Sequence, residues 1–431
     1  MGMFQTIKNA WNVPDLRKRL FITIGLLLVF RLGSFIPVPG LDPAALQSLI
    51  ESGGSLFGFV DILTGGAFKN ATIFAMSITP YINAQIIMQL LTVVIPKLEM
   101  LQKEGEEGRK IIAKYVRYGT VLLAFLQATA LYFGLGSTSI IGGFSVLSFV
   151  TIAFTFTAGT AFLMWLGEQI TESGIGNGIS LIIFAGIVSR GPSGVRSLIA
   201  AFINLQTSSG MITAIVGILA IIAVFLAIIA GVVYVQEAER RIPVQYAKRV
   251  VGRKLYGGQS THIPLKVNMA GVIPIIFAMS FMMFPSTIIG FVGASSENRI
   301  VKFFTSWPDK ISFSVISALL VMIFTFFYTV VQFNPIELSN NIKKNGGFIP
   351  GIRPGKPTSD YISSVLNRIT WFGAIFLAVV LVFPTLIGKI TGISGVWFAG
   401  SGVLILVNVA LELVKQLESQ MLMRHYKGFL D

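Results

Sequence analysis

Phe74-Ala-Met-Ser-Ile-Thr-Pro-Tyr-Ile-Asn-Ala-Gln-Ile-Ile-Met-Gln-Leu-Leu-Thr92 carries no charged side chain. It lies within an uncharged run, 71–95, long enough to supply the roughly 20 residues that a transmembrane helix needs. Inside it, Ile78, Ile82, Gln85 and Gln89 recur at i, i+4, i+7 and i+11. At about 100° per residue these four stay within roughly 60° of one another, as one stripe. The stripe runs from isoleucine to glutamine, unlike a surface turned uniformly to lipid. Pro80 takes a backbone donor out of the run, which is tolerated where a helix faces protein or a cavity. Two readings fit: interhelical packing with glutamine hydrogen bonds, or the lining of a passage. Ile179 and Ile183 form a second i, i+4 pair where a later, shorter apolar run begins.

Outward from this run, apolar segments bounded by charge or by Gly and Pro number ten: 20–37, 71–95, 115–136, 146–170, 177–190, 211–236, 268–293, 311–333, 370–389 and 396–415. The composition agrees, with 54% hydrophobic and 12% charged residues and a mean hydropathy of +0.77. A soluble domain carries about 25% charged residues, so lipid must cover much of this surface. Between the first two runs, Ser55–Ala67 (SLFGFVDILTGGA) is apolar but too short to cross. The chain is expected to be an all-α membrane protein of ten spans.

The 33 Lys and Arg orient it. With the N-terminus inside, 25 fall in cytoplasmic segments, 7 fall outside, and Arg31 sits within the first span. That asymmetry follows the positive-inside rule, and the reverse topology would violate it. Both ends are therefore expected in the cytoplasm. The first run does not read as a cleaved signal, because Ile36-Pro37-Val38-Pro39 stands where a small-x-small site would be. Ten spans divide into an N-terminal half, 1–190, and a C-terminal half, 191–431. Five spans per half is odd, so repeats of this kind would be inverted, as in many transport proteins.

Enzyme chemistry has little to stand on. The chain has no Cys, its two His, His262 and His425, lie far apart, and no H-E-x-x-H, G-x-S-x-G or Walker A lysine is present. Neither a metal site nor a cofactor is implied. Gly174-Ile-Gly-Asn-Gly178 lacks the lysine of a phosphate loop and reads as a tight turn between helices. A proton-driven transporter would place acids deep in its spans. Here Glu168, Glu172 and Glu412 fall near cytoplasmic span ends, and Asp61 lies in the short non-spanning segment. An ion-coupled solute transporter is the alternative from another class, and a membrane receptor that only recruits ribosomes is a second.

Two long inside loops stand out. Residues 237–267 carry seven basic side chains and 335–369 carry five, and both are longer than topology requires. Pro243, Tyr246, Gly257 and Gly258 punctuate the first; Pro350, Gly351, Pro354 and Gly355 punctuate the second. They read either as charge that fixes topology or as ordered projections suited to an anionic partner.

Several stretches resemble the SecY/Sec61-alpha family, whose bacterial members form the central subunit of the Sec protein translocase. They are Phe30-Arg-Leu-Gly-Ser-Phe-Ile-Pro37, Pro80-Tyr-Ile82, Lys103-Glu-Gly105, Phe162-Leu-Met-Trp-Leu-Gly-Glu-Gln-Ile-Thr171, Gly174-Ile-Gly-Asn-Gly-Ile-Ser180, Gln259-Ser-Thr-His-Ile-Pro-Leu-Lys-Val-Asn268, Asn334-Pro335 and Phe348-Ile-Pro-Gly-Ile-Arg-Pro-Gly355. They run in order from the first span to the loop before the ninth.

The resemblance implies two inverted five-helix halves around a central pore, closed by an apolar ring. On this chain the ring would be Ile78, Ile82, Ile179, Ile183, Ile276 and Ile405. A dry apolar collar excludes hydrated ions yet can widen around a polypeptide. A short re-entrant plug helix would correspond to Ser55–Ala67, with Leu56, Phe57, Phe59, Val60, Ile62 and Leu63 as its apolar residues. Gln89 and Asn268 would be the polar pair of a lateral gate between spans 2–3 and 7–8, which releases signal sequences into the bilayer. The projecting loops would dock the motor ATPase SecA and the ribosome through Arg353, with Arg253 and Lys254 in support. The small subunits SecE and SecG would complete the complex in a bacterial plasma membrane. The expected function is a passive protein-conducting channel, not an enzyme, driven by SecA or by translation.

Overall fold

The computed structural model describes residues 11–44, 47, 64–135, 140–246, 249–251, 254–256, 260–292, 307, 311–391 and 400–427. Each of the ten apolar runs holds a helix: α1 (Pro14–Gly33), α2 (Thr79–Val94), α4 (Glu106–Leu135), α5 (Val146–Ser173), α6 (Gly178–Ser189), α8 (Met211–Glu237), α9 (Ile273–Val292), α10 (Ile311–Gln332), α12 (Lys356–Thr391) and α13 (Gly400–Lys427). Among the described residues, six helical stretches are by themselves long and apolar enough to cross a membrane. A seventh is counted if α2 is joined to α3 (Pro96–Lys103), which bends away from it by 102°. Two further helices, α7 (Gly191–Ser209) and α11 (Pro335–Lys344), have no counterpart among the runs.

The second run differs from its sequence reading. Residues 71–78 are turns, and the helix starts only at Thr79. Ala71 and Ser77 take left-handed φ values of 49° and 50°, a conformation that β-carbons disfavour. Backbone bonds from Val38 N to Ala71 O (2.8 Å) and Ile73 N to Ile36 O (3.0 Å) lay this stretch against the chain leaving α1. Pro80 therefore falls in the first turn of α2, where its missing N–H has no intrahelical partner to lose. It starts the helix rather than interrupting it.

In a bilayer the hydrophobic effect gives helices little reason to associate, so close packing and buried hydrogen bonds must hold them. The α5–α6 turn shows how. Gly174 caps α5, Gly176 takes φ +89°, and the Asn177 side chain accepts a bond from Ser180 N (3.2 Å) to start α6. Thr171 Oγ1 accepts from Gly178 N (2.9 Å), and Thr23 Oγ1 of α1 accepts from Ile175 N (3.0 Å). A β-carbon on Gly178 would lie 1.9 Å from Gly167 O, so the two helices touch backbone to backbone. This turn sets where Ile179 and Ile183 stand. Gly178→Ala is expected to destabilise the folded membrane protein by about 1–3 kcal/mol, measured as a lower midpoint of thermal aggregation in detergent.

The largest apolar cluster draws on α1, α2, α5, α6, α8, α9, α10, α12 and α13. A second lies between α4, α5 and the turns around Ala71. Ion pairs join helix ends: Arg117 Nε with Glu168 Oε1 (2.7 Å) ties α4 to α5, and Lys415 Nζ with Glu237 Oε1 (2.6 Å) ties α13 to α8. All four side chains are at least partly exposed, so each pair contributes about 0–1 kcal/mol.

The two long loops fold into one body. Strand β1 (Glu239–Tyr246) pairs antiparallel with β4 (Ser260–Lys266), and the short β2 (Arg249–Val251) and β3 (Lys254–Tyr256) pair beyond them. From the second loop, β5 (Gly347–Phe348) adds to the free edge of β1, giving the order β4-β1-β5. Ile242, Val244 and Leu265 of the first loop share an apolar core with Ile342 and Ile349 of the second and Ile362 of α12. An alternation of exposed and buried residues along β1 supplies that face. Charge that served topology alone would need no such core.

Candidate functional site: an apolar constriction and its flanks

Ile78 sits at the N-cap of α2, and Ile82 lies one turn into it, its N–H donating to Ile78 O (3.0 Å). Ile179 and Ile183 occupy the first turns of α6, Ile276 the first turn of α9, and Ile405 an early turn of α13. Four helices that start far apart in sequence thus deliver six isoleucines to one apolar cluster. Ile78, Ile82, Ile183 and Ile405 are buried, and Ile179 and Ile276 are partly buried against them. Along the stripe of α2 the character changes with distance from this cluster, Gln85 being exposed and Gln89 half-buried.

Helix α9 packs against both α2 and α4. Gln89 lies on α2, and Asn268 lies in the stretch just before α9. Asn268 Nδ2 donates to Gly271 O (3.0 Å), while Asn268 Oδ1 and Gln89 Oε1 are both buried without a hydrogen-bond partner. A buried unsatisfied acceptor costs about 1–3 kcal/mol. Gln89→Leu removes one such acceptor. It is expected to stabilise the folded protein by about 1 kcal/mol, read as a higher midpoint of thermal aggregation in detergent.

Leu56, Phe57, Phe59, Val60, Ile62 and Leu63 lie outside the described residues, as does Arg253. Lys254 begins β3. The described end of the short apolar segment, Thr64–Ala67, is a buried turn, with Thr64 and Ala67 fully buried. Arg353 is exposed in the turn between β5 and α12. Arg31, given no role by the sequence reading, turns out to be partnered. Its Nη1 donates to Gly65 O (3.1 Å) and to Ser189 Oγ (3.2 Å), and its guanidinium lies 4.7 Å from the Phe35 ring centroid. The signal for it was a lone arginine in an apolar run. Among the described residues, no group of three or more His, Cys, Asp or Glu could hold a metal.

The chain is similar to known proteins over nearly its whole length. A family model described as SecY matches residues 72–414. The chain is 48% identical over 434 residues to the protein translocase subunit SecY of Halalkalibacterium halodurans, covering 99% of this chain and 100% of that one. The chain belongs to the SecY family. The SecY proteins of Thermotoga maritima and Bacillus subtilis are each 44% identical over 99% of the chain, and it covers 98% and 100% of them. The fold is also that of solved channels. A structure titled "The structure of a protein conducting channel" superposes with a TM-score of 0.62 at 19% identity, over 94% of this chain and 92% of that one. Sec61 in a canine ribosome–channel complex gives 0.58 at 18% identity, over 94% and 92%. Membership in the SecY family makes this a multi-pass membrane channel subunit rather than an enzyme.

Proposed function

We propose that the chain is the central subunit of a protein-conducting channel, moving unfolded preproteins across, or into, the plasma membrane of a bacterium. The observation that carries this reading is the convergence of Ile78, Ile82, Ile179, Ile183, Ile276 and Ile405, from four separate helices, in one apolar cluster. Such a collar is dry at rest and can deform around a polypeptide, as no fixed solute site can. The halves 1–190 and 191–431 form its two walls, and the segment around Ser55–Ala67 plugs the outer side. Gln89 and Asn268 flank the lateral exit. Both chain ends face the cytoplasm, on the charge asymmetry already given.

The chain has no hydrolytic centre in its sequence, so work must come from outside. The fused sheet of the two loops is the docking body for the motor SecA and for the ribosome, with Arg353, Arg253 and Lys254 as contacts. Ribosome docking is supported by the ribosome-bound channel among the fold relatives, and the small subunits SecE and SecG complete the assembly. Reconstitution into proteoliposomes with SecE, SecG and SecA tests the reading: ATP-dependent protection of a preprotein from protease is expected. Flux of a specific small solute without SecA or preprotein would replace the channel reading with a secondary transporter.

A further inference from the structure

Arg31 is the one cation inside the first apolar run, and a charge at that depth calls for a partner and a task. Three elements meet at its guanidinium. Its Nη1 reaches Gly65 O at 3.1 Å and Ser189 Oγ at 3.2 Å, and the cation stands over Phe35 at 4.7 Å. Ser189, the last residue of α6, is held in place by donating to Gly186 O (2.7 Å) and approaches Gly65 O itself (3.4 Å). The fit around Gly65 is tight. Its φ is +65°, and a β-carbon there would lie 2.6 Å from Ser189 Oγ and 2.9 Å from Gly186 Cα. The turn is then fixed along its length, because Phe68 N donates to Thr64 Oγ1 (3.2 Å) and Thr72 Oγ1 donates to Ala67 O (3.1 Å).

The position of this turn matters to the constriction. Ala67, two residues beyond the clamped carbonyl, is fully buried in the same apolar cluster as the six isoleucines. Ser189 lies on the same helix as Ile183. A single cation therefore ties α1, the 64–67 turn and α6 together at one edge of the collar.

We propose that Arg31 is a positioning residue of the resting seal: its guanidinium pins the Gly65 carbonyl to the end of α6 and so holds the buried Thr64–Ala67 turn against the isoleucine cluster. A charge-assisted bond from a guanidinium to a carbonyl is stronger than a neutral one. Loss of the clamp frees the turn without touching the isoleucines themselves. The inference rests on the channel reading of the cluster.

The test is resting ion conductance of the reconstituted complex, with three variants measured beside wild type. Arg31→Met keeps the apolar stem and removes the donors; its resting conductance is expected to rise on the order of tenfold. Arg31→Lys retains a donor for Gly65 O and is expected to stay within a few-fold of wild type. Ile78→Gly serves as the control that opens the collar directly. Hydrogen exchange at Phe68 and Thr72 gives a second readout: faster in Arg31→Met, near wild type in Arg31→Lys. A leaking Ile78→Gly beside a tight Arg31→Met would overturn the clamp and leave the channel reading standing, and so would equal leak from the Met and Lys variants. No leak from any of the three would take the isoleucine cluster out of the resting seal and the inference with it.

Discussion

Channels carrying Ile78→Ser, Ile183→Ser and Ile405→Ser together are expected to leak ions at rest on the order of tenfold or more above wild type. The argument is one of wetting. Three side chains buried in one cluster lose their branched methyls and gain hydroxyls that hydrogen-bond to water. A dewetted constriction blocks hydrated ions only while water inside it is unfavourable, and each 1.4 kcal/mol moved toward the wet state is about a tenfold change in its population. The matching Ile→Val triple keeps an apolar, β-branched surface. It costs about 0.5–1.5 kcal/mol of packing per site and should stay nearly tight. That contrast separates hydration from loose packing. Planar-bilayer conductance without SecA or ribosome is the measurement. A Ser triple that inserts, assembles with its small subunits and leaks no more than wild type would remove these isoleucines from the constriction.

The reading of those isoleucines shows what a sequence of this kind carries. Helix existence was legible because lipid imposes length and polarity directly, so each of the ten runs holds a helix. The i, i+4 pairs were legible as faces, and the shared cluster gathers both. Where each helix begins was less visible. The uncharged run 71–95 contains eight residues before its helix begins, since hydropathy cannot tell a buried turn from a buried helix. The left-handed Ser77 at φ 50° gives no sign in composition. The fusion of the two loops was also hidden. The pairing of Gln245 with Phe348 joins residues a hundred positions apart through a two-residue strand, and no local period announces it. The bond from Asn268 Nδ2 to Gly271 O and the unpartnered Gln89 Oε1 depend on rotamers and neighbouring carbonyls. Residue types fix polarity but not which atoms pair.

Arg353→Glu is expected to cut SecA-driven export of a preprotein by on the order of tenfold or more, while cotranslational insertion falls only a few-fold. The side chain is exposed, so reversing its charge should shift folding stability by no more than about 0.5 kcal/mol. Its backbone is anything but loose. Arg353 O accepts from Thr358 Oγ1 (2.9 Å), Gly355 O accepts from Ser339 Oγ of α11 (2.7 Å), and Ile352 N donates to Ile349 O (3.0 Å) beside the buried core of the joined loops. Gly351 and Gly355 supply the positive φ values, +80° and +103°, that so tight a turn requires. Three residues on, Lys356 begins the 36-residue helix α12 that continues into the ninth span. The fixed turn sets where this exposed cation projects, and juxtaposing a like charge with a partner's costs several kcal/mol at an interface. Arg353→Lys keeps the charge but loses the planar fork and should fall between wild type and Glu. SecA binding to reconstituted channels and export rates measured in parallel with ribosome-coupled insertion make the comparison. Equal losses in the two assays would assign the defect to the loop fold, and Arg353 would lose its place as the motor contact.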